Sequence, residues 1–330
     1  MEKATNQNRK RVLVVAVIIV LIAILFALLV DIQAVTWQLK AADIRFLIAA
    51  SIMLLCGLAA YAIRWRALLG NKPGLLFTFH ASNMGHAANI LIPLRAGEAV
   101  RILVMGTEKT VSFTEATTSV VVERLFEQLM RLLTIGAAIL VGVGLQLSPS
   151  AVISGIGFLA LGFGAIAWLV GNQSFTLDKG SRLLAKLPRV TEEKARISIA
   201  DLLENLEGVS KPRHFALILF WSLITWAFFW AFFYLTLLSL GDAFPTQQRV
   251  AISLGAMALS PPSAPTQPGI FHASIVVPLA AIGIDAETLT AYAVLLHILE
   301  MFWMIGLAIW GLIATGSSLR SLQGLFKSGS

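Results

Sequence analysis

Apolar runs of about twenty residues, the length a helix needs to cross roughly 30 Å of hydrocarbon, recur along almost the whole chain. Uninterrupted runs occupy Val12–Val30, Phe46–Leu69, Thr114–Leu147, Ala151–Gly171, Phe215–Leu240 and Leu289–Ala314. Inside hydrocarbon a backbone must satisfy its own hydrogen bonds, so these runs read as six transmembrane helices. Hydrophobic residues make up 57% of the 330 residues and charged ones 13%. Soluble domains carry about 25% charged residues, so a water-soluble fold could not hide this much apolar surface. No stretch is left for a separate soluble enzyme domain. The sequence predicts an all-α polytopic membrane protein, with residues 1–330 forming one transmembrane domain.

Two further apolar stretches are broken in the middle. Leu75–Met105 is interrupted by IPLRAGE at Ile92–Glu98, and Val250–Ile282 by PPSAPTQPG at Pro261–Gly269. Proline removes a backbone donor and clashes with the preceding turn, so neither stretch can be one straight helix. Each reads as a re-entrant helical hairpin that dips into the membrane and returns. The order span, span, broken hairpin, span then occurs twice, over 12–147 and 151–314. Each half has an odd number of crossings, so the second is inverted relative to the first, a plan typical of secondary transporters. The alternative is that both breaks are ordinary proline-containing surface loops.

Charge placement orients the chain. Lys3, Arg9, Lys10 and Arg11 precede Val12–Val30, which exceeds the 7–15 residues of a signal-peptide core and so reads as an uncleaved first span. With that end cytoplasmic, Arg64, Arg66, Lys72, Arg95, Arg101, Lys109, the basic residues from Lys179 to Arg213, Arg320 and Lys327 fall inside. Only Lys40, Arg45 and Arg249 fall outside. The positive-inside bias puts both termini in the cytoplasm and the protein in the cell (inner or plasma) membrane. The net charge of +7 thus reflects topology and anionic lipid head groups, and nucleic acid is not an expected partner. Cys56 is the only cysteine, so no intrachain disulfide can form. In the hydrophilic segment 172–213, leucines and isoleucines recur at helical spacing around Pro188, between a Thr191 cap and a stop at Gly208. These predict one or two amphipathic helices on the cytoplasmic face.

Polar residues inside apolar stretches are the functional candidates. His80, Asn83, His86 and Asn89 recur every three residues along one broad face, lining a cavity or hydrogen-bonding a neighbouring helix. His80 and His86 have no carboxylate or thiolate with them, so no metal site is expected. Arg95, Gly97, Glu98 and Arg101 sit where a helix begins. Unpaired amide groups and arginines there suit a phosphate, and the obvious phosphate is a lipid head group. Alternatively Arg95 and Arg101 anchor the hairpin at the interface while Glu98 pairs with Arg101. Glu123, Arg124, Glu127 and Arg131 form a polar stripe on the long third span. Glu127 can pair with Arg131, leaving Glu123 to meet Arg95 or Arg101, either as part of a binding site or as a purely structural network. His272 follows the second break, and His297 and Glu300 share a face of the last span. A histidine there can relay protons or serve as a hydrogen-bond partner. No nucleophile elbow and no phosphate-binding loop of the Walker type occurs, so no catalytic residue and no cofactor is assigned.

The motifs NILIPLRAGEAVR (Asn89–Arg101), VVVERLFE (Val120–Glu127) and APTQPGIFHASIVVPLAAIGI (Ala264–Ile284), followed by the helix bearing His297, resemble the flippase-like membrane family that also forms the transmembrane region of lysylphosphatidylglycerol synthases. The resemblance covers essentially the whole chain. Thr266 stands where a glycine is usual, Pro268 replaces an aliphatic residue, and His272 stands where many relatives have glutamate. The resemblance implies moving or presenting a lipid, since in the synthases a separate soluble domain makes the aminoacylated phospholipid. The resulting expectation is a lipid transporter with Arg95, Arg101 and Arg124 on a phosphate-bearing or anionic head group and Glu98, Glu123 and Glu127 positioning them. His86 and Asn89 line the same site, and His272 and His297 serve proton coupling. An intramembrane enzyme modifying a head group, or a scaffold recruiting a lipid-modifying enzyme through 172–213, are the alternatives.

Overall fold

The computed structural model describes residue 40 and residues 42–91, 96–141, 149–186, 191–241, 244–260 and 270–315. The expected first span Val12–Val30, residues 92–95 of the first break Ile92–Glu98, and the second break Pro261–Gly269 lie outside the described residues. Among the described residues there are eleven helices and no strand. They are α1 (Ile44–Leu68), α2 (Leu75–Leu91), α3 (Ala96–Met105), α4 (Phe113–Val141), α5 (Pro149–Gly171) and α6 (Gln173–Leu184). After them come α7 (Glu192–Ser210), α8 (Pro212–Leu238), α9 (Thr246–Leu259), α10 (Ile270–Ala280) and α11 (Ala286–Ala314).

Four of these, α1, α5 from Ile153, α8 and α11, are long and apolar enough to cross a membrane. The fourth helix matches α11 at 29 residues but carries the charged stripe. The helices flanking the breaks are shorter: α3 and α10, with 10 and 11 residues, extend about 15–17 Å at 1.5 Å per residue, half a hydrocarbon core.

In the first broken stretch α2 and α3 fold back on each other. The backbone N–H of Gly97 donates to Asn89 Oδ1 at 2.8 Å, and a Cβ on Gly97 would lie 2.2 Å from the Gly85 carbonyl oxygen. Only glycine permits backbones to approach so closely. In the second stretch α9 and α10 pair in the same sense, with Gly255 against Leu279.

The helices then pack reciprocally. Along their whole length α1 and α8 run antiparallel: Asp43 N–H donates to the Ser239 carbonyl at 2.9 Å at one end, and His214 Nε2 meets the Ala67 carbonyl at 2.8 Å at the other. Between these ends Phe229 lies on Gly57. The hairpin arm α2 packs on α11, with His80 against Gly311 and Trp310. Its counterpart α9 packs on α4, where Gln247 Nε2 donates to the Val141 carbonyl at 3.0 Å. Thus α2 leans on α11 and α9 on α4, the two 29-residue helices.

Two cores result. One joins α1, α8, α9, α10 and α11 through Leu54, Phe229, Phe233, Phe271, Tyr292 and Met301. The second gathers Trp65, Met84, Val104, Val120, Phe126 and Leu206. The segment 172–213, whose spacing predicts one or two helices, contains α6 and α7. Thr191 Oγ1 accepts from Lys194 N–H at 3.3 Å, capping α7, which turns Ala195, Leu203, Leu206 and Val209 inward. It stops at Ser210 rather than Gly208 because Pro212 opens α8 and disfavours helical backbone just before it.

Candidate functional site

On α1, Tyr61, Arg64 and Trp65 fall on one face, three and four residues apart. Across from it α4 presents Ser119, Glu123, Arg124 and Glu127, and the short helix α3 adds Glu98 and Arg101. Glu98 lies in the first turn of α3, where a carboxylate is favoured by the exposed amide dipoles.

These side chains form one network. Glu123 divides its oxygens: Oε1 accepts from Arg64 Nη2 at 2.7 Å and Oε2 from Arg101 Nη2 at 2.6 Å. Glu127 accepts from Arg64 at 3.3 Å and from Arg124, and Arg124 donates in turn to Glu98. Arg101 is held further by Tyr61, whose hydroxyl oxygen accepts a hydrogen bond from its Nη1 at 2.7 Å, and by the Trp65 ring, whose centroid lies 4.0 Å from its guanidinium carbon. Trp65 is fixed by Nε1 donating to Ser119 Oγ at 3.0 Å. Removing such ions from water costs several kcal/mol each, and only shared, well-directed hydrogen bonds offset it.

Burial is graded across the network. The side chains of Arg64 and Glu123 are 0% and 1% exposed, whereas those of Arg124 and Glu98 are 27% and 20% exposed. Three arginines face three glutamates, so the described network is neutral. It nevertheless leaves buried polar atoms unanswered: Arg64 Nε and Nη1, Arg101 Nε and Glu98 Oε2 have no hydrogen-bond partner among the described residues. Buried unsatisfied polar atoms are rare in native proteins and call for a specific explanation.

Of the residues singled out from sequence, Glu98, Arg101, Glu123, Arg124 and Glu127 meet here. Arg95 lies outside the described residues. His86 sets its ring edge-on to Tyr61 at 4.7 Å between centroids, with Nε2 unpartnered, while Asn89 closes the hairpin rather than facing the arginines. Glu98 bonds Arg124, not Arg101, because Arg101 is turned to Glu123. His272 and His297 form a second cluster, their ring centroids 5.0 Å apart, with Phe271 4.9 Å from His297. Sequence reasoning missed Arg64, Tyr61, Trp65 and Ser119. The distribution of basic residues places Arg64 with the cytoplasmic charges, yet it lies within the limits of the predicted span Phe46–Leu69. That position was the available signal that it must find a buried partner.

The arrangement can hold an anion by guanidinium hydrogen bonds at its open end while a sealed base keeps the arginines in place. Residues 12–309 match the family described as the lysylphosphatidylglycerol synthase TM region. Comparison with curated proteins and with solved structures gives no match.

Proposed function

The chain belongs to the lysylphosphatidylglycerol synthase TM region family, which makes it a multi-pass integral membrane protein, and from that membership we propose that it is a flippase-like lipid transporter. It receives a phosphate-bearing or anionic lipid head group at the open end of the charged network on α1, α3 and α4. The observation that carries this reading is the arginine–glutamate network, sealed at Arg64 and Glu123 and open at Arg124 and Glu98, with buried guanidinium N–H groups left over.

In this reading Arg124, joined by Arg95, binds the head-group phosphate, while the enclosed Arg101 anchors the base of the site through Glu123. Guanidinium suits a phosphate because its planar fork donates two parallel hydrogen bonds. Glu123, Glu127 and Arg64 are positioning residues that hold the binding arginines, and Glu98 occupies Arg124 when no lipid is present. The two halves, 12–147 and 151–314, act as an inverted repeat of six spans and two re-entrant hairpins. The antiparallel pairing of α1 with α8 and the exchange of α2 onto α11 and α9 onto α4 support that plan. Such reciprocal packing lets one half rock against the other around a central site. The reading requires no covalent step, and both termini are cytoplasmic.

The test is reconstitution of the purified chain in liposomes containing fluorescent phosphatidylglycerol or a fluorescent polyprenyl phosphate, with quenching of the outer leaflet. The wild type moves at least one probe between leaflets. Arg124→Ala removes a charge-assisted contact of about 1.5–3 kcal/mol and slows movement about 10- to 100-fold. Equal rates for empty and protein-bearing liposomes would remove the transport reading, and a covalently altered probe would favour an intramembrane enzyme instead.

A further inference from the structure

The two 29-residue helices α4 and α11 carry their ionisable pairs at the same places. Counted from the helix start, Arg124 and Glu127 on α4 stand where His297 and Glu300 stand on α11. Each helix supports the hairpin of the opposite half, so the two pairs occupy equivalent positions in the fold. Their surroundings differ. Glu127 is bound by two arginines. Glu300 is 0% exposed, and neither of its oxygens has a hydrogen-bond partner.

The elements packed against α11 bring few ionisable groups to it. From α10 comes His272, from α2 His80 and His86, from α1 Tyr61 and Arg64, and from α8 Tyr234. Arg64 is bound to Glu123 and Glu127, His80 lies beside Trp310 far along α11, and His86 and Tyr61 face each other. On α11 itself, Tyr292 donates its hydroxyl to the Phe233 carbonyl at 2.9 Å. Burying an ionised carboxylate without a partner costs far more than burying the neutral acid. Toward the surface the groups form a series: His272 is half-buried and touches His297, which is buried and one helical turn from Glu300.

Resting on the transporter reading above, we propose that Glu300 is a proton-binding site, loaded through His272 and His297, whose loading is coupled to movement of the lipid. A proton from water on one side joins a Glu300 oxygen, and the same proton leaves to water on the other side when the halves exchange access. A metal cation would need several ligands, and no group of three His, Cys, Asp or Glu side chains that could hold one occurs among the described residues. One carboxylate suffices for a proton. The first half thus holds fixed arginines for an anion, while the second uses the same geometry with titratable groups.

Infrared spectroscopy of the full-length chain in lipid tests the site without any knowledge of the substrate. The wild type shows a protonated-carboxyl band at neutral pH that disappears in Glu300→Gln and persists in Glu300→Asp. Absence of the band in the wild type, or its survival in Glu300→Gln, overturns the proposal. Coupling is read in liposomes with fluorescent phosphatidylglycerol: an imposed pH difference changes the wild-type rate severalfold, and that response is lost in Glu300→Gln but kept in Glu300→Asp. A sodium gradient replacing the pH gradient as the effective drive overturns the proton assignment. Wild-type movement that ignores pH overturns the coupling while the transporter reading stands. No movement at all removes the transporter reading and the coupling with it, leaving the infrared band to report Glu300 as a structural acid.

Discussion

Gly97→Ala should break the first hairpin at its closest point. The added Cβ would lie 2.2 Å from the Gly85 carbonyl oxygen and 2.5 Å from Asn89 Cγ and Oδ1, closer than atoms tolerate, and two of the three obstacles belong to the side chain that closes the hairpin. Forcing a methyl group into packed structure costs about 1–3 kcal/mol, and separating Asn89 from the Gly97 amide costs about 1 kcal/mol more. Alanine's better helix propensity returns about 0.5–1 kcal/mol, leaving a net loss of about 1–3.5 kcal/mol. Gly136 on α4 is the internal control, since a Cβ there meets nothing within 4 Å, and Gly136→Ala should be neutral or stabilising by about 0.5–1 kcal/mol. Reversible unfolding in mixed micelles, followed by tryptophan fluorescence, measures both variants. A Gly97→Ala variant as stable as Gly136→Ala would refute the close pairing of α2 with α3. Gly85→Ala differs again: its Cβ meets Arg101 Cγ at 2.3 Å, so it should displace the arginine and reduce lipid movement more than it reduces stability.

Glu123→Gln leaves Arg64 and Arg101 without their shared carboxylate and should cost about 3–5 kcal/mol in the same unfolding assay; a loss under about 1 kcal/mol would mean that water reaches the pair. Thr191→Ala removes the cap of α7 and should cost that helix about 1 kcal/mol, seen as roughly fivefold faster amide exchange at Lys194, and unchanged exchange would show the cap to be idle. Asp285 caps α11, and the Thr288 backbone N–H, donating at 2.7 Å, with the Thr288 hydroxyl holds its carboxyl below the ordinary value. A depressed folded-state value means that the cap contributes fully above about pH 4, the ordinary aspartate value, and is lost as pH falls through the folded-state value. The protection factor of the Thr288 amide should therefore drop in acid in the wild type but not in Asp285→Asn.

The separation of α2 from α3 and of α9 from α10 was legible because proline and glycine clusters interrupt otherwise apolar runs, and the cap at Thr191 because a hydroxyl residue preceded a helical pattern. The stripe from Glu123 to Glu127 was legible as a face that must avoid lipid. What those residues touch was not. Glu123 is bonded to Arg64, far back in the chain, and helical spacing carries information only about neighbours three or four residues away. A count of charges by membrane side assigned Arg64 to solvent because it sat near the end of its apolar run. The fold encloses it because α4 and the hairpin cover that end of α1. Glu98 shows the same limit: spacing offers Arg101, but Arg101 is drawn to Glu123, and Arg124 across the helix interface takes its place.

A neutral network argues at first against anion binding, since every arginine in it already has a carboxylate. The graded burial changes that conclusion. Arg64, Arg101 and Glu123 are enclosed, and Glu127 stays bonded to Arg64 whatever happens to Arg124. Only the contact between Arg124 and Glu98 lies at the open rim, and Glu98 keeps one oxygen unpartnered even there. A phosphate can therefore exchange for Glu98 alone, without uncovering any sealed charge. Glu98→Gln should then tighten binding of phosphatidylglycerol in nanodiscs by about tenfold, because a neutral amide competes for Arg124 about 1.4 kcal/mol less well. Glu127→Gln should instead weaken it, since it loosens Arg64 and Arg124 together. If Glu98→Gln weakened binding as much as Glu127→Gln does, Glu98 would be touching the lipid itself and the exchange at Arg124 would be wrong.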